Sequence, residues 1–204
     1  MLNYILSTKP KLGHDDNMLS MRIIHDVAPV ICKPLTHIFN LSTESGIFPE
    51  KMKISRGIPI FKKGSPFSLS NYRVVAMINS FSKIFEKIWS DRLITFFEDN
   101  NFFIKTQFGF RKRTSTQHAL SAIINQITKR LNENKHVLVV CLDIQKCFDS
   151  VDRNILFRKL HNAGIRGQML TWIKSYFTDR KQRIFINGVN SSNLCDLILG
   201  VLQG

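Results

Sequence analysis

The sequence predicts an α+β fold, and three observations lead to that prediction. Segments with apolar residues at helical spacing are mixed with short runs rich in Val and Ile, without the regular alternation of βαβ units. Neither a Walker-type phosphate loop nor a G-x-G-x-x-G fingerprint occurs, which argues against standard nucleotide-hydrolase and dinucleotide folds. The chain has 204 residues and is 44% hydrophobic, enough to build a sizeable core.

The N-terminal region is predicted to become helical after a loose start. Residues 1–17 are expected to be loose and polar. Residues 18–45 predict helices interrupted near Pro29 and Pro34, because proline lacks the backbone donor that a helix interior needs. Gly46 is expected to end the last helix, since glycine readily adopts the left-handed conformation of helix ends.

Two strands are predicted next, on either side of a basic turn. The strand segments are Ile54–Phe61 and Arg73–Ile78, and the turn is Lys62–Pro66. Pro59 favours an edge position for the first strand, because proline cannot donate a hydrogen bond to a neighbouring strand. We therefore expect a hairpin-like pair in this region.

Four helices and a closing hairpin are predicted for the rest of the chain. Apolar residues recur along the helices at helical spacing, and Ser, Thr or Asp stands where most of them start. The helices begin at Ser80, at Thr114 or Ser115, at Asp152 and at Gln168, and the hairpin joins residues 182–188 to 194–199. The first helix has an apolar stripe from Phe81 to Phe97, and the second is expected to turn Ile123 and Leu131 inward.

The charge balance points to a polyanionic partner. Lys plus Arg number 29 against 15 Asp plus Glu, giving +14, and residues 51–118 carry much of that excess. Nucleic acid is the first candidate and an acidic membrane surface the second, with a solvated surface as the structural alternative. No apolar stretch approaches the ~18 residues of a membrane span. The four cysteines form no C-x-x-C pair, which favours reduced thiols and an intracellular setting, in the cytoplasm, the nucleus or both.

The run Val137–Asp149 is the most informative part of the chain. Its apolar start predicts a strand buried on both faces, with Cys141 inside it as a small apolar residue. Such a strand would present Asp143 at the edge of the sheet, where a carboxylate can bind a divalent cation. An aspartate at that place also commonly caps a turn or a helix. From these residues alone the two alternatives stay open.

Several segments in a fixed order resemble the reverse transcriptase domain of non-LTR retrotransposons, the LINE-type and jockey-like elements. The resemblance extends from about Gly13 to Gly204, and no single segment is specific by itself. The segments are Gly57–Gly64, Ser70–Arg73, Ser82–Lys87, Gln107–Arg111 with Ser115–Thr116, Leu142–Val151 (motif A), Gly164–Gly167 with Arg180–Gln182, and Gly200–Gly204 (the start of motif B).

This resemblance implies a right-hand polymerase architecture with fingers and a partial palm. Residues 18–134 would form the fingers-type region and residues 135–204 the palm from motif A to the start of motif B. The family's motif C, with its paired aspartates, and its thumb have no counterpart in these residues. The implied reaction is RNA-templated transfer of dNTPs onto a DNA primer with two divalent ions, Mg²⁺ or Mn²⁺.

The resemblance also implies roles for particular residues. Asp143 would be the catalytic carboxylate and a metal ligand, and the carbonyl of Ile144 would be a second ligand. Arg73 with Lys62 or Lys63 would bind the triphosphate, although either lysine could equally be a solvated turn residue. Phe148 would lie under the incoming sugar and Gln203 near the nucleotide, with core packing as the alternative for Phe148.

An aromatic and basic segment is a candidate surface for a nucleic-acid strand. Phosphates bind cations, and exposed bases stack on aromatic rings. The alternative is that both rings are buried and only the cations face solvent. The segment consists of Phe108, Phe110, Arg111, Lys112 and Arg113.

Three positions depart from the family pattern. Val74 and Leu202 stand where the family has proline, and Cys147 stands where it has alanine. With motif C missing, we expect a chain that does not polymerise alone. The alternative is a catalytically dead remnant of a mobile element that still binds RNA or DNA, and an unstable fragment is a third possibility.

Overall fold

The computed structural model describes residues 1–191 and 193–202. It has two compact units, one comprising Met1–Trp89 with Lys146–Gly204 and the other comprising Ser90–Gln145. Helices are combined with a sheet, which confirms the predicted α+β class. Among the described residues, no helix has the length and apolar character needed to cross a membrane.

Seven α-helices and five strands form within the described part of the chain. The helices are α1 (Leu2–Leu6), α2 (Met21–Asp26), α3 (Ala28–Ser45), α4 (Ser80–Asp99), α5 (Thr116–Asn132), α6 (Arg153–Asn162) and α7 (Gly167–Phe177). The strands are β1 (Ile54–Phe61), β2 (Tyr72–Ile78), β3 (Lys181–Ile186), β4 (Val189–Asn190) and β5 (Cys195–Asp196). Short 3₁₀ turns, Glu50–Met52 and Leu69–Asn71, precede β1 and β2.

The sheet lies in the first unit and is centred on β1 and β3. β1 pairs antiparallel with β2, from Ser55 opposite Ile78 to Phe61 opposite Tyr72. It pairs parallel with β3 only over residues 54–57. β4 and β5 both pair antiparallel with β3. The predicted hairpin-like pair of β1 and β2 is therefore confirmed.

Pro59 lies at a local edge of this sheet, as the sequence predicts. It stands opposite Val74 of β2, two residues beyond the stretch of β1 that pairs with β3. Its missing N–H therefore leaves no bond to β3 unmade.

The core of the first unit includes aromatic rings of α3, α4 and α7 and of the segment that follows α3. Phe39 and Phe85 stack with 3.9 Å between ring centroids, and Phe48 packs edge-on against Trp172 at 5.4 Å. The indole Nε1 of Trp172 donates a hydrogen bond to Ser42 Oγ at 3.0 Å. Each buried ring of this kind contributes on the order of 2–3 kcal/mol relative to exposure. Their packing holds the helices against one another.

The predicted helix end at Gly46 is confirmed, and the interruption at Pro34 is wrong. Gly46 has φ of 70° and ends α3 in the left-handed conformation. The interruption predicted near Pro29 is confirmed, since the break falls at Val27, between α2 and α3. Pro29 lies in the first turn of α3, where its missing donor is harmless, and Pro34 lies inside the helix without ending it.

Residues 1–17 contain ordered structure, contrary to the expectation of a loose segment. α1 lies within them, and Asp15 is only 1% exposed. One oxygen of Asp15 accepts from the backbone N–H groups of Asn17 and Leu19, and the other accepts from that of Ser80 at 2.7 Å. The prediction failed because the partner at the start of α4 is distant in sequence.

The N-terminal cap of α4 is Asn79 rather than Ser80. Asn79 Oδ1 accepts from the backbone N–H of Phe81 at 2.9 Å and of Ser82 at 3.3 Å. Ser80 directs its hydroxyl to the carbonyl of Leu19. Both residue types are good caps, so the sequence could not distinguish them.

The strand predicted over residues 137–142 is absent from the structure. The segment lies in the second unit, where the described residues form no strand, and Leu138 and Leu142 are 89% and 91% exposed. Cys141, expected inside a buried strand, is exposed. A strand buried on both faces needs neighbours and covering layers, and none of the described residues of this unit supplies them.

α5 likewise differs from its predicted packing. Its start is confirmed, since the Ser115 hydroxyl accepts from the backbone N–H of His118. Its apolar face, however, is not inward: no residue of α5 is buried, and Ile123 and Leu131 are about half exposed. Amphipathic spacing defines a face and does not supply a partner for it.

Candidate functional site

The loop between β1 and β2 is an ordered turn that exposes two lysines. The Lys62 backbone N–H donates to the Asn71 carbonyl at 2.8 Å, and Asn71 Nδ2 donates to the Ser65 carbonyl at 2.9 Å. Gly64 takes a φ of +90°, which favours glycine. The side chains of Lys62 and Lys63 are exposed at this turn. The turn can therefore offer ammonium groups to an anion.

Strand alternation distinguishes the two lysines. Ile60 lies opposite Arg73 in the ladder, and the Lys62–Asn71 hydrogen bond continues the pairing by two residues. Residues two apart on a strand share a face, so Lys62 lies on the same face as Arg73. Lys63 lies in the bend beyond the last paired residue. Diagonal neighbours of this kind lie about 7–8 Å apart, within the span of a triphosphate.

Motif A and the start of motif B meet through their backbones within the first unit. The Val201 N–H donates to the Phe148 carbonyl at 2.9 Å, and the Gly200 N–H donates to the Val151 carbonyl at 3.1 Å. Phe148 itself is partly buried. Gln203, the motif B glutamine, lies outside the described residues. The two segments that the resemblance assigns to the nucleotide are thus joined by two hydrogen bonds.

Arg153 adds side-chain hydrogen bonds to this junction. Its Nε donates to the Gly200 carbonyl at 3.0 Å, Nη1 to the Phe177 carbonyl at 2.7 Å and Nη2 to the Leu199 carbonyl at 3.4 Å. Asp152, the confirmed cap of α6, accepts from the two N–H groups of Asn154 and Ile155. Sequence reasoning missed Arg153, because its acceptors are backbone atoms that no side-chain pattern reveals.

A cavity of about 310 Å³ opens beside this junction. Val74 and Leu202 both contribute to its wall, together with Arg153 and Gln182. The two positions that lack the family's proline therefore line the same space. They are related in the fold although 128 residues separate them in the sequence.

Asp143 lies in an irregular, exposed segment of the second unit. Neither it nor Ile144 belongs to a helix or strand, and Ile144 is exposed as well. In the described part of the chain, no three His, Cys, Asp or Glu side chains lie close enough to bind one metal ion. The described residues therefore do not form a complete two-ion site around Asp143.

The aromatic and basic segment divides between exposed and paired residues. Phe110 is 88% exposed, whereas Phe108 is partly buried. Arg111 makes a bidentate pair with Glu98 of α4, Nε to Oε1 at 3.0 Å and Nη2 to Oε2 at 2.6 Å. These hydrogen bonds hold the pKa of Glu98 below its ordinary value. The guanidinium of Arg111 is thus paired with a carboxylate of the same unit.

Lys112 and Arg113 are exposed side chains of the same segment. Lys112 Nζ lies 3.1 Å from Asp91 Oδ1, in a pair of exposed groups that stabilises little. With Phe110, the two cations form an aromatic and cationic surface within the second unit. That surface has the composition that a single nucleic-acid strand requires.

Comparison with known proteins identifies the family. Residues 60–203 match the model of the reverse transcriptase (RNA-dependent DNA polymerase) family. The match covers more than half of the chain, and the chain therefore belongs to the reverse transcriptase family.

Individual relatives are mobile-element polymerases. The chain is 28% identical over 203 residues to the RNA-directed DNA polymerase from mobile element jockey of Drosophila melanogaster, covering 99% of the chain and 22% of the relative. It is 29% identical over 185 residues to the jockey protein of Drosophila funebris, covering 90% and 20%. The chain thus spans about a fifth of the length of these relatives. The predicted resemblance to jockey-like reverse transcriptases is confirmed.

Proposed function

We propose that this chain is the fingers and partial palm of an RNA-directed DNA polymerase from a mobile element. Its substrates would be an RNA template, a DNA primer and dNTPs. The observation that carries the proposal is the backbone junction of Phe148 and Val151 with Gly200 and Val201. It joins the two segments that, by the resemblance, would contact the incoming nucleotide, within a chain that matches this family.

The finger cations would bind the triphosphate. Lys62 and Arg73 share a strand face near the exposed turn, and Lys63 is exposed in the bend that follows. Positive charge there would neutralise the triphosphate and the pyrophosphate that leaves. Because guanidinium binds phosphate oxygens in a fork, Arg73 would also orient the nucleotide.

Asp143 and the carbonyl of Ile144 would be the metal ligands in this region. Bound Mg²⁺ or Mn²⁺ would stabilise the charge on the attacking and leaving oxygens. Among the described residues, no cluster of three potential metal ligands forms around Asp143. We therefore expect no nucleotide incorporation by residues 1–204 alone.

Phe148 would contact the sugar of the incoming nucleotide, and Gln203 would lie near the nucleotide and template base. A bulky ring under the sugar would clash with a 2′-hydroxyl, so Phe148 would favour dNTPs over rNTPs. The hydrogen bond from the Val201 N–H to the Phe148 carbonyl would help to hold the Phe148 ring in position.

The template or primer strand would bind to the surface of Phe110, Lys112 and Arg113. Phe110 would stack on an unpaired base, and the two cations would contact phosphates. Arg111 and Phe108 would support this surface from below, since Arg111 is paired to Glu98 and its guanidinium lies 5.3 Å from the Phe103 ring centre.

A second candidate function is a remnant that binds RNA or DNA without catalysis. The irregular segment around Asp143 and the net charge of +14 favour it. Such a remnant would bind with an affinity that falls steeply with salt concentration, and it would incorporate no nucleotide in any context.

The test is primer extension on an RNA template by the full-length element polymerase that carries this region. Asp143→Asn should reduce extension by several orders of magnitude, since it removes the charge that the ions need. Asp179→Asn is the matched control: Asp179 is exposed, and its φ of 54° suits asparagine. Undiminished extension by Asp143→Asn would refute the assignment of Asp143 as the catalytic carboxylate. An inactive wild type would favour the second candidate function, a remnant that binds RNA or DNA without catalysis.

A further inference from the structure

We infer that Arg153 is a positioning residue that holds the start of motif B against motif A and so fixes Phe148 beneath the nucleotide sugar. The inference rests on the proposed polymerase function. It concerns a residue that touches neither nucleotide nor metal and acts through the backbone of residues 199–201.

The guanidinium of Arg153 joins two separate stretches of chain. Two of its nitrogens donate to the carbonyls of Leu199 and Gly200, and the third donates to the carbonyl of Phe177 at the end of α7. Only arginine presents donors in a planar fork that can reach three carbonyls at once. Arg153 is also the first residue of α6, directly after the Asp152 cap, so its own backbone is fixed.

Hydrogen bonds, and not a salt bridge, hold this guanidinium in place. Its acceptors are three neutral carbonyls, and no described carboxylate lies within ion-pair distance of it. Partial burial and the neighbouring Arg180 lower the pKa of Arg153 from its ordinary value, although it remains protonated at neutral pH. The three carbonyl acceptors, together with the Phe177 ring centred 5.8 Å from the guanidinium carbon, compensate for the partial burial of this charge.

At Gly200 the backbones of the two motifs lie too close together for a side chain. Its φ is +74°, and a Cβ there would lie 2.8 Å from the Phe148 carbonyl oxygen and 2.8 Å from Asp149 Cα. The backbones are thus in direct contact, in addition to the two hydrogen bonds between them. A movement of residues 199–201 toward motif A would displace Phe148 and Asp149, because these atoms cannot interpenetrate. A movement away from motif A would break the two hydrogen bonds that hold the carbonyls of Phe148 and Val151.

Removal of Arg153 should affect the positioning of the nucleotide sugar more than the other steps of catalysis. A shift of about 1 Å at a substrate-positioning group can cost on the order of a hundredfold in rate. If Arg153 is removed, the ring of Phe148 should sit less accurately under the sugar. Discrimination between dNTP and rNTP should then fall about tenfold, and the KM for dNTP should rise more than kcat falls.

The functional test uses the full-length polymerase that carries this region. Arg153→Met keeps the aliphatic stem and removes the donors, whereas Arg153→Lys keeps the charge and some of the donors. The preference for dNTP over rNTP should be strongest in the wild type, weaker in Arg153→Lys and weakest in Arg153→Met. Arg158→Met on the exposed side of the same helix is the matched control and should behave as wild type.

A second measurement separates local loosening from unfolding. Amide hydrogen exchange on the 204-residue chain should speed up at Gly200 and Val201 in Arg153→Met, with the amide of Trp172 in the aromatic core still protected. Gly200→Ala tests the junction from its other side. Its Cβ would force the backbones apart, so it should show the same faster exchange and the same loss of sugar discrimination.

The outcomes distinguish this inference from the proposed function. Wild-type sugar discrimination in Arg153→Met, in an active polymerase, would overturn the inference and leave the proposed function standing. Unchanged exchange at Gly200 and Val201 would overturn it as well. A wild type without polymerase activity would refute the proposed function, and the exchange data would then still decide whether Arg153 holds the junction.

Discussion

The carboxylate of Asp15 accepts a hydrogen bond from the backbone N–H of Ser80 at 2.7 Å, although 65 residues separate the two in sequence. Its other oxygen organises the turn at Asn17 and Leu19. One buried side chain thus satisfies the start of α4 and shapes the N-terminal segment. Asp15 complements the cap that Asn79 supplies within the helix itself.

Replacing Asp15 with alanine should destabilise the chain by about 2–4 kcal/mol, since a charged acceptor of three hydrogen bonds is lost and buried N–H groups are left unpaired. Urea denaturation followed by circular dichroism measures this change. Asp26→Ala is the control: Asp26 is exposed at the end of α2, and its loss should change stability by less than about 0.5 kcal/mol. Equal effects of the two variants would contradict the assigned role of Asp15.

Glu86 should make the stability of the chain depend on pH. Burial raises the pKa of its carboxyl above the ordinary value, and the carboxyl accepts from the Tyr176 hydroxyl at 2.7 Å and the Ser82 hydroxyl at 3.1 Å. Between the unfolded and folded pKa the folded state therefore binds more protons. The contribution of Glu86 to the free energy of unfolding is thus fully present below its unfolded pKa and is lost as pH rises through its folded pKa.

Glu86→Gln should remove that dependence, since glutamine keeps an acceptor for both hydroxyls and does not titrate. The variant should match the wild type near pH 4 and be the more stable of the two at neutral pH. Urea midpoints of both proteins across that range give the difference, which cancels the titration of all other groups. A difference that is constant with pH would show that Glu86 does not titrate as described.

Lys62 and Lys63 should differ in their effect on nucleotide binding. Because Lys62 shares a strand face with Arg73, Lys62→Ala in the full-length polymerase should raise the KM for dNTP about tenfold, close to the effect of Arg73→Ala. Lys63→Ala should raise it no more than twofold to threefold, as expected for a solvated turn residue. Steady-state kinetics on a fixed template and primer would measure both. A larger rise in KM for Lys63→Ala than for Lys62→Ala would show that Lys63, and not Lys62, contacts the triphosphate.

The surface of Phe110, Lys112 and Arg113 should govern binding to single-stranded RNA. Arg113→Ala should weaken binding and reduce the slope of log affinity against log salt concentration by about one, because one phosphate contact is lost. Phe110→Ala should cost about 1–3 kcal/mol and leave the salt slope unchanged, as expected for loss of stacking. Fluorescence anisotropy over a salt series measures both quantities.

Arg111→Ala serves as a contrasting variant for this surface. It breaks the bidentate pair with Glu98, so it should loosen the second unit before it alters any phosphate contact. Proteolysis of residues 100–115 should become faster, while the salt slope at matched fractions of folded protein stays as in wild type. A reduced slope would instead assign Arg111 to phosphate binding.

Elements whose cause is local could be predicted before the fold was known. β1 begins and ends at the predicted residues, and Ser115, Asp152 and Gly46 delimit helices as predicted. The side chain of a helix cap accepts hydrogen bonds from N–H groups two or three residues further along the chain. The partners of a cap are therefore always close to it in the sequence. The order of motifs was likewise readable without coordinates, and with it the family.

Which faces are covered, and which distant groups meet, depends on the fold of the whole chain. The run at residues 137–142 has the composition of a buried strand and is exposed, since burial depends on neighbours that composition cannot supply. Asp15 and Arg153 bond to backbone groups far along the chain, and backbone N–H and carbonyl groups look alike in every sequence. Local periodicity and capping are encoded residue by residue, whereas these contacts exist only once the whole chain has folded.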